Sequence, residues 1–420
     1  MDSTADDSRR GHGLGDWVHA FAVAFAAAAA CFAASRLVDP GLAQPSAANV
    51  WFDSDLPYRL EVMVRPGGWE NGGAHPLFPS LGHLLLASAK ALTGQADPLR
   101  AAGLAGSAVG GLFAGILFAL FRRMGLTRAD ATLFAAISAL SSGSLFWFPV
   151  PESFGLAGTG VALALLVAAA SRPSVAALAT ACVASGASVL TNGIVGGLAV
   201  VAHDARPRRW GRALTTLLVA LGVMTAAWSL QEWSFRTPFF LGGRLLEYRQ
   251  HTFPVTLGRA AEVARGLLSH SVVAPALHND RPAFRHMGVA SSGPLGAIAT
   301  LAWAALLLAG SWRTLQAARR GERRELALTA AGSLALTFAM HLTLGREMFL
   351  YALDVLPLLL VLAAGSARPE RGRTLVRVVA CVLLLAGGLN NAGQHQRAAG
   401  AARDLAAQRA RAGAGVSEER

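Results

Sequence analysis

Long apolar runs separated by short, arginine-rich polar segments dominate the pattern of this chain. A run of about 20 apolar residues is long enough to cross the hydrocarbon core of a bilayer as a helix. The pattern predicts an all-α fold, a polytopic transmembrane helical bundle of about eleven spans, some of them short. The predicted spans are residues 17–35, 99–121, 129–148, 154–170, 175–190, 193–202, 213–233, 293–312, 326–344, 348–364 and 375–389.

Composition favours a membrane protein over a soluble one. Of the 420 residues, 53% are hydrophobic and 15% are charged, and the chain contains 45 glycines. Soluble domains carry about 25% charged residues, so a soluble fold would lack the polar surface to cover this apolar bulk. The same composition excludes a disordered chain.

The formal net charge of +12 would suggest a nucleic-acid partner in a soluble protein. Nineteen arginines lie in clusters before the first predicted span or around the short segments between spans, where the positive-inside rule places them in the cytoplasm and no nucleic acid is required. Keeping all these clusters on one side requires residues 174–202 to form a hairpin of two short helices that turns near 190–193. The N-terminus is then cytoplasmic, and the C-terminal tail is external.

The remaining polar sequence falls mainly into two external loops, about residues 36–98 and 235–291. Within the first loop, Leu77–Leu92 is apolar but too short to span, and it is expected to form a helix lying in the membrane interface. We predict a single membrane domain over residues 1–391, with the first helix kept as an anchor, followed by an Ala/Arg-rich tail over 392–420.

The first external loop contains two carboxylates, Asp53 and Asp55, on either side of Ser54. Oxygen ligands of this kind can hold a divalent cation such as Mg²⁺ or Mn²⁺. Alternatively, one carboxylate can accept a proton from an attacking hydroxyl. A turn or a helix cap before Pro57 would also explain the pattern.

Two further candidates are expected on the same face. His75 precedes Pro76 at the start of the interfacial helix, where it could bind phosphate when charged or a sugar when neutral. Glu152 lies near the N-terminus of the fourth span, where a helix-capping role is a sufficient explanation. The three carboxylates of Asp53, Asp55 and Glu152 could converge into a metal site.

Arginines and one outer helix end supply the remaining candidates. The second external loop carries seven arginines, whose guanidinium groups suit an anionic lipid headgroup or the phosphates of ordinary membrane lipids. Arg346 and Glu347 form a charged pair at the outer end of two spans, close to Tyr351. Charges at membrane depth are functional candidates by default, although a local ion pair would explain these two.

The order of these features resembles the GT-C superfamily of polytopic glycosyltransferases. Within it, the chain is most similar to dolichyl-phosphate-mannose protein mannosyltransferases and to bacterial aminoarabinose and lipopolysaccharide-core transferases. It departs from them where they commonly have Asp-Glu in the first loop, Pro-Pro at the interfacial helix and Lys in the hairpin turn. The matching segments are Asp53-Ser54-Asp55, His75-Pro76-Leu77-Phe78-Pro79 through Arg100, Arg122-Arg123, Leu190-Thr191-Asn192-Gly193 and Arg346 through Pro357.

The resemblance implies an integral membrane glycosyltransferase in the inner or plasma membrane. It would move a sugar from a polyprenyl-phosphate donor to a glycan, lipid or protein acceptor at the extracytoplasmic face. Asp53 and Asp55 would be the catalytic residues. The rival function is a polytopic transporter or lipid flippase, which the nearly charge-free span interiors disfavour. The implied substrate-binding residues are His75, Glu152, Asn192, Arg346, Glu347 and Tyr351.

Overall fold

The computed structural model describes residues 14–67, 74–204, 210–237, 252–280, 283–285, 292–345, 347–367 and 372–417. These residues fold as a helical bundle, as predicted. A short antiparallel ribbon pairs β1 (His278–Asp280) with β2 (Ala283–Arg285). The helices are α1 (Leu14–Ser35), α2 (Leu56–Val64), α3 (Phe78–Thr93), α4 (Pro98–Arg123), α5 (Arg128–Ala139), α6 (Ser142–Trp147), α7 (Phe154–Ala168), α8 (Val175–Gly186), α9 (Gly193–Asp204), α10 (Trp210–Phe235), α11 (Leu257–Leu268), α12 (Pro294–Arg319), α13 (Arg324–Thr343), α14 (Ala352–Ala364), α15 (Arg373–Val382) and α16 (Gly388–Ser417).

The chain is a multi-pass membrane protein. Within the described residues, seven helical segments are long and apolar enough to cross a membrane, and α7 and α8 are shorter apolar helices. Each of the eleven predicted spans coincides with helical structure, so the helical bundle is confirmed. The long segments are Leu14–Ser35, Pro98–Arg123, Trp210–Phe235, Pro294–Arg319, Arg324–Thr343, Met348–Ala367 and Arg373–Arg411.

The third predicted span is not one continuous helix. It divides into α5 and α6, because Ser141 caps α6 by accepting a hydrogen bond from the Ser144 amide at 3.2 Å. The amides of Ser142 and Gly143 donate to backbone carbonyls of residues 272 and 271 at 3.1 Å. A neighbouring loop thus satisfies the backbone groups that the break exposes.

The two short elements deduced from length are both present as helices. The interfacial helix expected over Leu77–Leu92 is α3, which ends at Gly94 in the left-handed conformation (φ 68°). The hairpin expected within residues 174–202 is α8 and α9, joined through a 3₁₀ turn at Leu190–Asn192. Gly94 suits the end of α3 because a glycine, lacking a Cβ, adopts the left-handed conformation without strain.

Glycines allow the membrane helices to pack closely. A Cβ built at Gly111 of α4 would lie 2.7 Å from the Ala24 carbonyl oxygen of α1, and one at Gly110 would lie 2.9 Å from the Cys31 sulfur. Small residues at such positions let helix backbones approach one another in the bilayer. These glycines bring α1 and α4 together.

The centre of the bundle is α14, whose residues are all buried. It packs against α7, α12 and α13. In contrast, α1, α10 and α12 carry exposed large apolar side chains, including Phe25, Trp233 and Leu301. That distribution is expected where lipid, rather than water, surrounds the outer helices.

The C-terminal segment is a continuation of the bundle. The predicted division at residue 391 falls inside α16, which runs from Gly388 to Ser417. Ala402 and Leu405 are buried, and α16 packs on the 3₁₀ turns of the first loop. Arg409 Nη1 donates to the Ala48 carbonyl oxygen at 2.7 Å. The first loop and this segment therefore lie on the same side of the bundle.

Candidate functional site

Five element ends meet at one end of the bundle and enclose a group of buried polar side chains. They are the start of α2, the segment before α3, the start of α7, the α8–α9 turn and the start of α14. Their polar residues include Arg59, His75, Glu152, Asn192 and Asp354. Three of these were predicted from sequence, and Arg59 and Asp354 were not.

Glu152 is the centre of this polar group. Its Oε1 accepts a hydrogen bond from Ser54 Oγ at 3.2 Å and lies 3.4 Å from Arg59 Nε. Its Oε2 accepts from the Ser153 amide at 2.8 Å and from Ser153 Oγ at 3.3 Å. The Glu152 side chain is only 2% exposed. It therefore acts as the partner of a buried arginine as well as a local backbone acceptor.

His75 extends the group on the other side of Arg59. Its Nε2 lies 3.0 Å from Arg59 Nη2, and its Nδ1 lies 2.9 Å from the Ser188 carbonyl oxygen. Because an arginine only donates and a carbonyl only accepts, these contacts fit a neutral ring protonated on Nδ1. Burial and the nearby Arg59 charge hold the pKa of His75 well below its ordinary 6.5. Both ring nitrogens are thus engaged by protein groups.

A second polar pair adjoins Glu152. Asn192 Nδ2 donates to Asp354 Oδ1 at 2.8 Å, and both residues are buried. Asp354 also lies within electrostatic reach of Glu152. The expectation of span interiors nearly free of charge overlooked Asp354, which lies in the first turn of α14. An ionisable residue inside an apolar run was the signal that could have found it.

Asp53 lies in a strained turn at the edge of this group. The turn closes through the Trp51 and Ser54 backbones, with the Ser54 amide donating to the Trp51 carbonyl at 3.0 Å. Its two central residues have positive φ angles, 50° at Phe52 and 62° at Asp53. Such a turn favours glycine or asparagine, and a bulky residue there is strained. Buried Phe52 holds the conformation by packing its ring on Phe146, Trp147 and Phe349.

The carboxylates of the two candidate catalytic residues are partly accessible. The side chains of Asp53 and Asp55 are half-buried. Neither carboxylate makes a hydrogen bond or an ion pair to any residue in the described ranges. Asp55 occupies the cap position of α2, but its side chain makes no capping hydrogen bond. The turn predicted as an alternative explanation is thus present at Asp53, and the side-chain cap is not.

The predicted residues at the start of α14 are placed close to the same end. Glu347 Oε1 accepts from the Phe349 amide at 3.0 Å and so caps the 3₁₀ turn Met348–Tyr351. The Tyr351 ring packs 4.0 Å from the His341 ring and 5.9 Å from the Phe154 ring, measured between centroids. Phe154 begins α7, two residues after Glu152. Arg346 lies outside the described residues.

Of the seven loop arginines, Arg259 has a clear structural role. Its Nη2 donates to the carbonyl oxygens of His341 at 2.9 Å and Leu344 at 3.2 Å, and its Nη1 lies 3.1 Å from Glu262 Oε2. Arg259 thus connects α11 to the C-terminal end of α13 through hydrogen bonds. The side chains of Arg244, Arg249, Arg281 and Arg285 lie outside the described part.

The described residues do not form a ready-made metal centre. No group of three or more His, Cys, Asp or Glu side chains that could hold a metal ion occurs among them. The Glu152 oxygens are engaged by Arg59, Ser54 and Ser153. The three-carboxylate arrangement expected for Mg²⁺ or Mn²⁺ therefore does not fit these side chains.

Comparison with solved structures identifies the fold. The chain is similar to ArnT from Cupriavidus metallidurans, solved with undecaprenyl phosphate bound. The two share 15% sequence identity with a TM-score of 0.57, and the match covers 97% of this chain and 80% of ArnT. No protein-family model and no curated protein matches the chain by sequence. The resemblance inferred from sequence is confirmed at the level of the fold.

Proposed function

We propose that this protein is a membrane glycosyltransferase that moves a sugar from a polyprenyl-phosphate donor to an acceptor at the extracytoplasmic face. One observation supports the proposal most strongly. In an ArnT-like fold, a strained turn presents the open carboxylate of Asp53 beside the buried group of Arg59, His75 and Glu152. Strain of this kind persists where the surrounding structure enforces it, and it concentrates at functional sites.

The proposed reaction is one displacement at the anomeric carbon. An acceptor hydroxyl attacks that carbon, and Asp53 or Asp55 takes the hydroxyl proton. The bond from the anomeric carbon to the phosphate oxygen breaks, and polyprenyl phosphate leaves with the electron pair. Arginine side chains stabilise the negative charge that develops on the leaving phosphate. Within the described site we assign this role to Arg59, whose charge is held by Glu152 and His75, and Arg346 is the sequence candidate.

The rest of the polar group serves to fix this arrangement. Glu152 holds Arg59 through its Nε edge and Ser54 through its hydroxyl, so one carboxylate connects the arginine to the acidic turn. His75 contacts Arg59 from the other side. Charged groups fixed in a buried site stabilise developing charge without reorganising.

The face assigned to the reaction follows from the arginine clusters. Arg122, Arg123 and Arg128 lie at the opposite end of α4 and α5 from Glu152. Under the positive-inside rule their end is cytoplasmic, so the candidate site is extracytoplasmic. The donor is a lipid, which accounts for placing the reaction in a membrane enzyme.

The test uses purified full-length protein in nanodiscs. Undecaprenyl-phosphate donors carrying a radiolabelled sugar are incubated with a cell-envelope extract as the acceptor pool, and label transfer is measured. We expect Asp53→Asn or Asp55→Asn to reduce transfer by roughly 10²-fold or more, as for loss of a general base. Glu61→Gln is the matched control, since Glu61 is an exposed carboxylate of the same loop.

Three outcomes separate the alternatives. Full transfer by both aspartate variants would show that the assigned base is wrong. Accumulation of a solute in proteoliposomes without sugar transfer would support the transporter or flippase instead. Loss of transfer on adding EDTA, restored by Mg²⁺ or Mn²⁺, would support the divalent cation predicted from sequence.

A further inference from the structure

A second cleft lies at the opposite end of the bundle, between α1, α5 and α15. Its volume is about 650 Å³, which is within the range of small-molecule binding sites. It shares no residue with the candidate site. The cleft is lined by His19, Arg128, Ala129, Thr132, Leu133, Ala136, Arg377, Cys381 and Leu384.

Two arginines at the mouth of this cleft are oriented by aspartates and remain accessible. Arg128 Nε lies 2.6 Å from Asp16 Oδ1, and Arg377 Nε lies 2.6 Å from Asp130 Oδ1. The arginine side chains are nevertheless 49% and 42% exposed. An arginine carries five N–H donors in a fixed fork, so each guanidinium keeps donors beyond those facing its aspartate.

The charge around the cleft is positive in excess. Asp16 is shared by Arg122 and Arg128, at 3.2 and 2.6 Å. Asp130 is shared by Arg373 and Arg377, at 3.8 and 2.6 Å. Among the described residues, each aspartate thus faces two arginines, an excess of one positive charge at each wall. An anion entering the cleft would meet guanidinium groups from two directions.

The cleft changes from charged to apolar along the α15 axis. From Arg377 to Leu384 is seven residues, or about 10 Å along a helix at 1.5 Å per residue. The lining beyond the two arginines contains Leu133, Ala136, Cys381 and Leu384. Leu385, which directly follows the cleft residue Leu384, is 66% exposed. The apolar part of the cleft therefore opens onto the lipid-facing surface of the bundle.

We propose that this cleft binds an anionic phospholipid of the surrounding membrane. The phosphate would lie between Arg128 and Arg377, and an acyl chain would follow the apolar wall of α5 and α15. Guanidinium groups pair with phosphate oxygens in bidentate geometry, and anionic leaflets attract basic groups at the membrane surface. A lipid, rather than free phosphate, matches a cleft with one charged and one apolar part. The site is independent of the proposed glycosyl transfer.

Native mass spectrometry of the delipidated full-length protein tests the proposal. We expect phosphatidylglycerol to be retained at least tenfold better than phosphatidylcholine. Arg128→Gln with Arg377→Gln should abolish that preference. The control pair, Arg172→Gln with Arg319→Gln, removes the same charge from exposed arginines at the same end, and it should keep the preference. If both double variants lose the preference for phosphatidylglycerol equally, the proposed site is overturned, because a general loss of positive charge would then explain the result.

A second measurement uses the unmodified protein and so does not depend on folding of the variants. Cys381 lines the cleft and is exposed, whereas Cys31 is buried. We expect phosphatidylglycerol to slow maleimide alkylation of Cys381 at least tenfold relative to phosphatidylcholine, and inorganic phosphate to leave it unchanged. Equal alkylation rates in the two lipids would overturn the proposal. Protection by inorganic phosphate alone would overturn the assignment to a lipid.

Discussion

Replacing Glu152 with glutamine should destabilise the protein far more than replacing a carboxylate in an exposed ion pair. The change keeps the size and one acceptor oxygen but removes the charge opposite Arg59. The Glu152 and Arg59 side chains are 2% and 12% exposed, and their ion-pair atoms are 3.4 Å apart. Removing one partner of a buried pair typically costs 3–5 kcal/mol. Because the amide oxygen of the introduced glutamine can still accept a hydrogen bond from Ser54, we expect a loss of about 3 kcal/mol in the free energy of unfolding.

The matched control is Glu322→Gln. Glu322 and Arg320 form an exposed pair at 2.8 Å, with side chains 46% and 61% exposed. Water screens such a pair, and its loss costs only about 0–1 kcal/mol. The assay is reversible unfolding of the detergent-solubilised protein in SDS, followed by tryptophan fluorescence. The free energies of unfolding of the two variants are compared with that of the parent.

A double variant tests whether the cost comes from the unbalanced charge of Arg59. Glu152→Gln combined with Arg59→Met should be more stable than Glu152→Gln alone, because the buried guanidinium is then gone. The reasoning is refuted if Glu152→Gln and Glu322→Gln cost the same within about 0.5 kcal/mol. It is equally refuted if Arg59→Met lowers the free energy of unfolding of the Glu152→Gln variant by as much as it lowers that of the parent protein.

Three further outcomes follow from the geometry. Phe52→Ala removes the buried ring that holds the strained turn, and it should lower the free energy of unfolding by about 3–5 kcal/mol. Phe32→Ala, on the exposed face of α1, should be nearly neutral. Unfolding in SDS measures both. Burial and the Arg265 charge lower the pKa of His270 to about 4, so the unfolded chain takes up a proton first and stability should fall as pH drops from about 6.5 to 4. His270→Gln should flatten that slope in unfolding curves measured across this pH range. Gly111→Ala would place a Cβ 2.7 Å from an α1 carbonyl oxygen and should reduce the folded yield, whereas Gly115→Ala, with 3.5 Å to its nearest neighbour, should be tolerated in size-exclusion profiles.

Features set by local length and spacing could be predicted from the sequence. The interfacial helix α3 followed from a run too short to span the bilayer, and the α8–α9 hairpin from a run long for one span but short for two. In both cases the side on which the arginines must lie decided the interpretation. The division of the third span could not be predicted in this way. Its cause is the hydrogen bonding of Ser142 and Gly143 to a loop more than 120 residues away.

The polar group at the site shows the same limit. Asp53, His75, Glu152 and Asn192 stand out because polar residues are rare beside apolar runs. Which of them touch depends on long-range packing: Asn192 and Asp354, for example, are 162 residues apart. Arg59 could have been noticed one turn after Asp55 on α2, but nothing in its local sequence indicates a buried partner in Glu152.

The two ends of the bundle use charged residues in opposite ways. At the cytoplasmic end predicted for the arginine clusters, Asp16 and Asp130 orient Arg128 and Arg377, which stay accessible, a form suited to lipid phosphates. At the other end, Glu152 and Arg59 are buried against each other, while the carboxylates of Asp53 and Asp55 stay open. Fixed, desolvated charges beside an open base suit a reaction. Because the two ends share no residue, lipid retention and sugar transfer should respond to separate sets of substitutions.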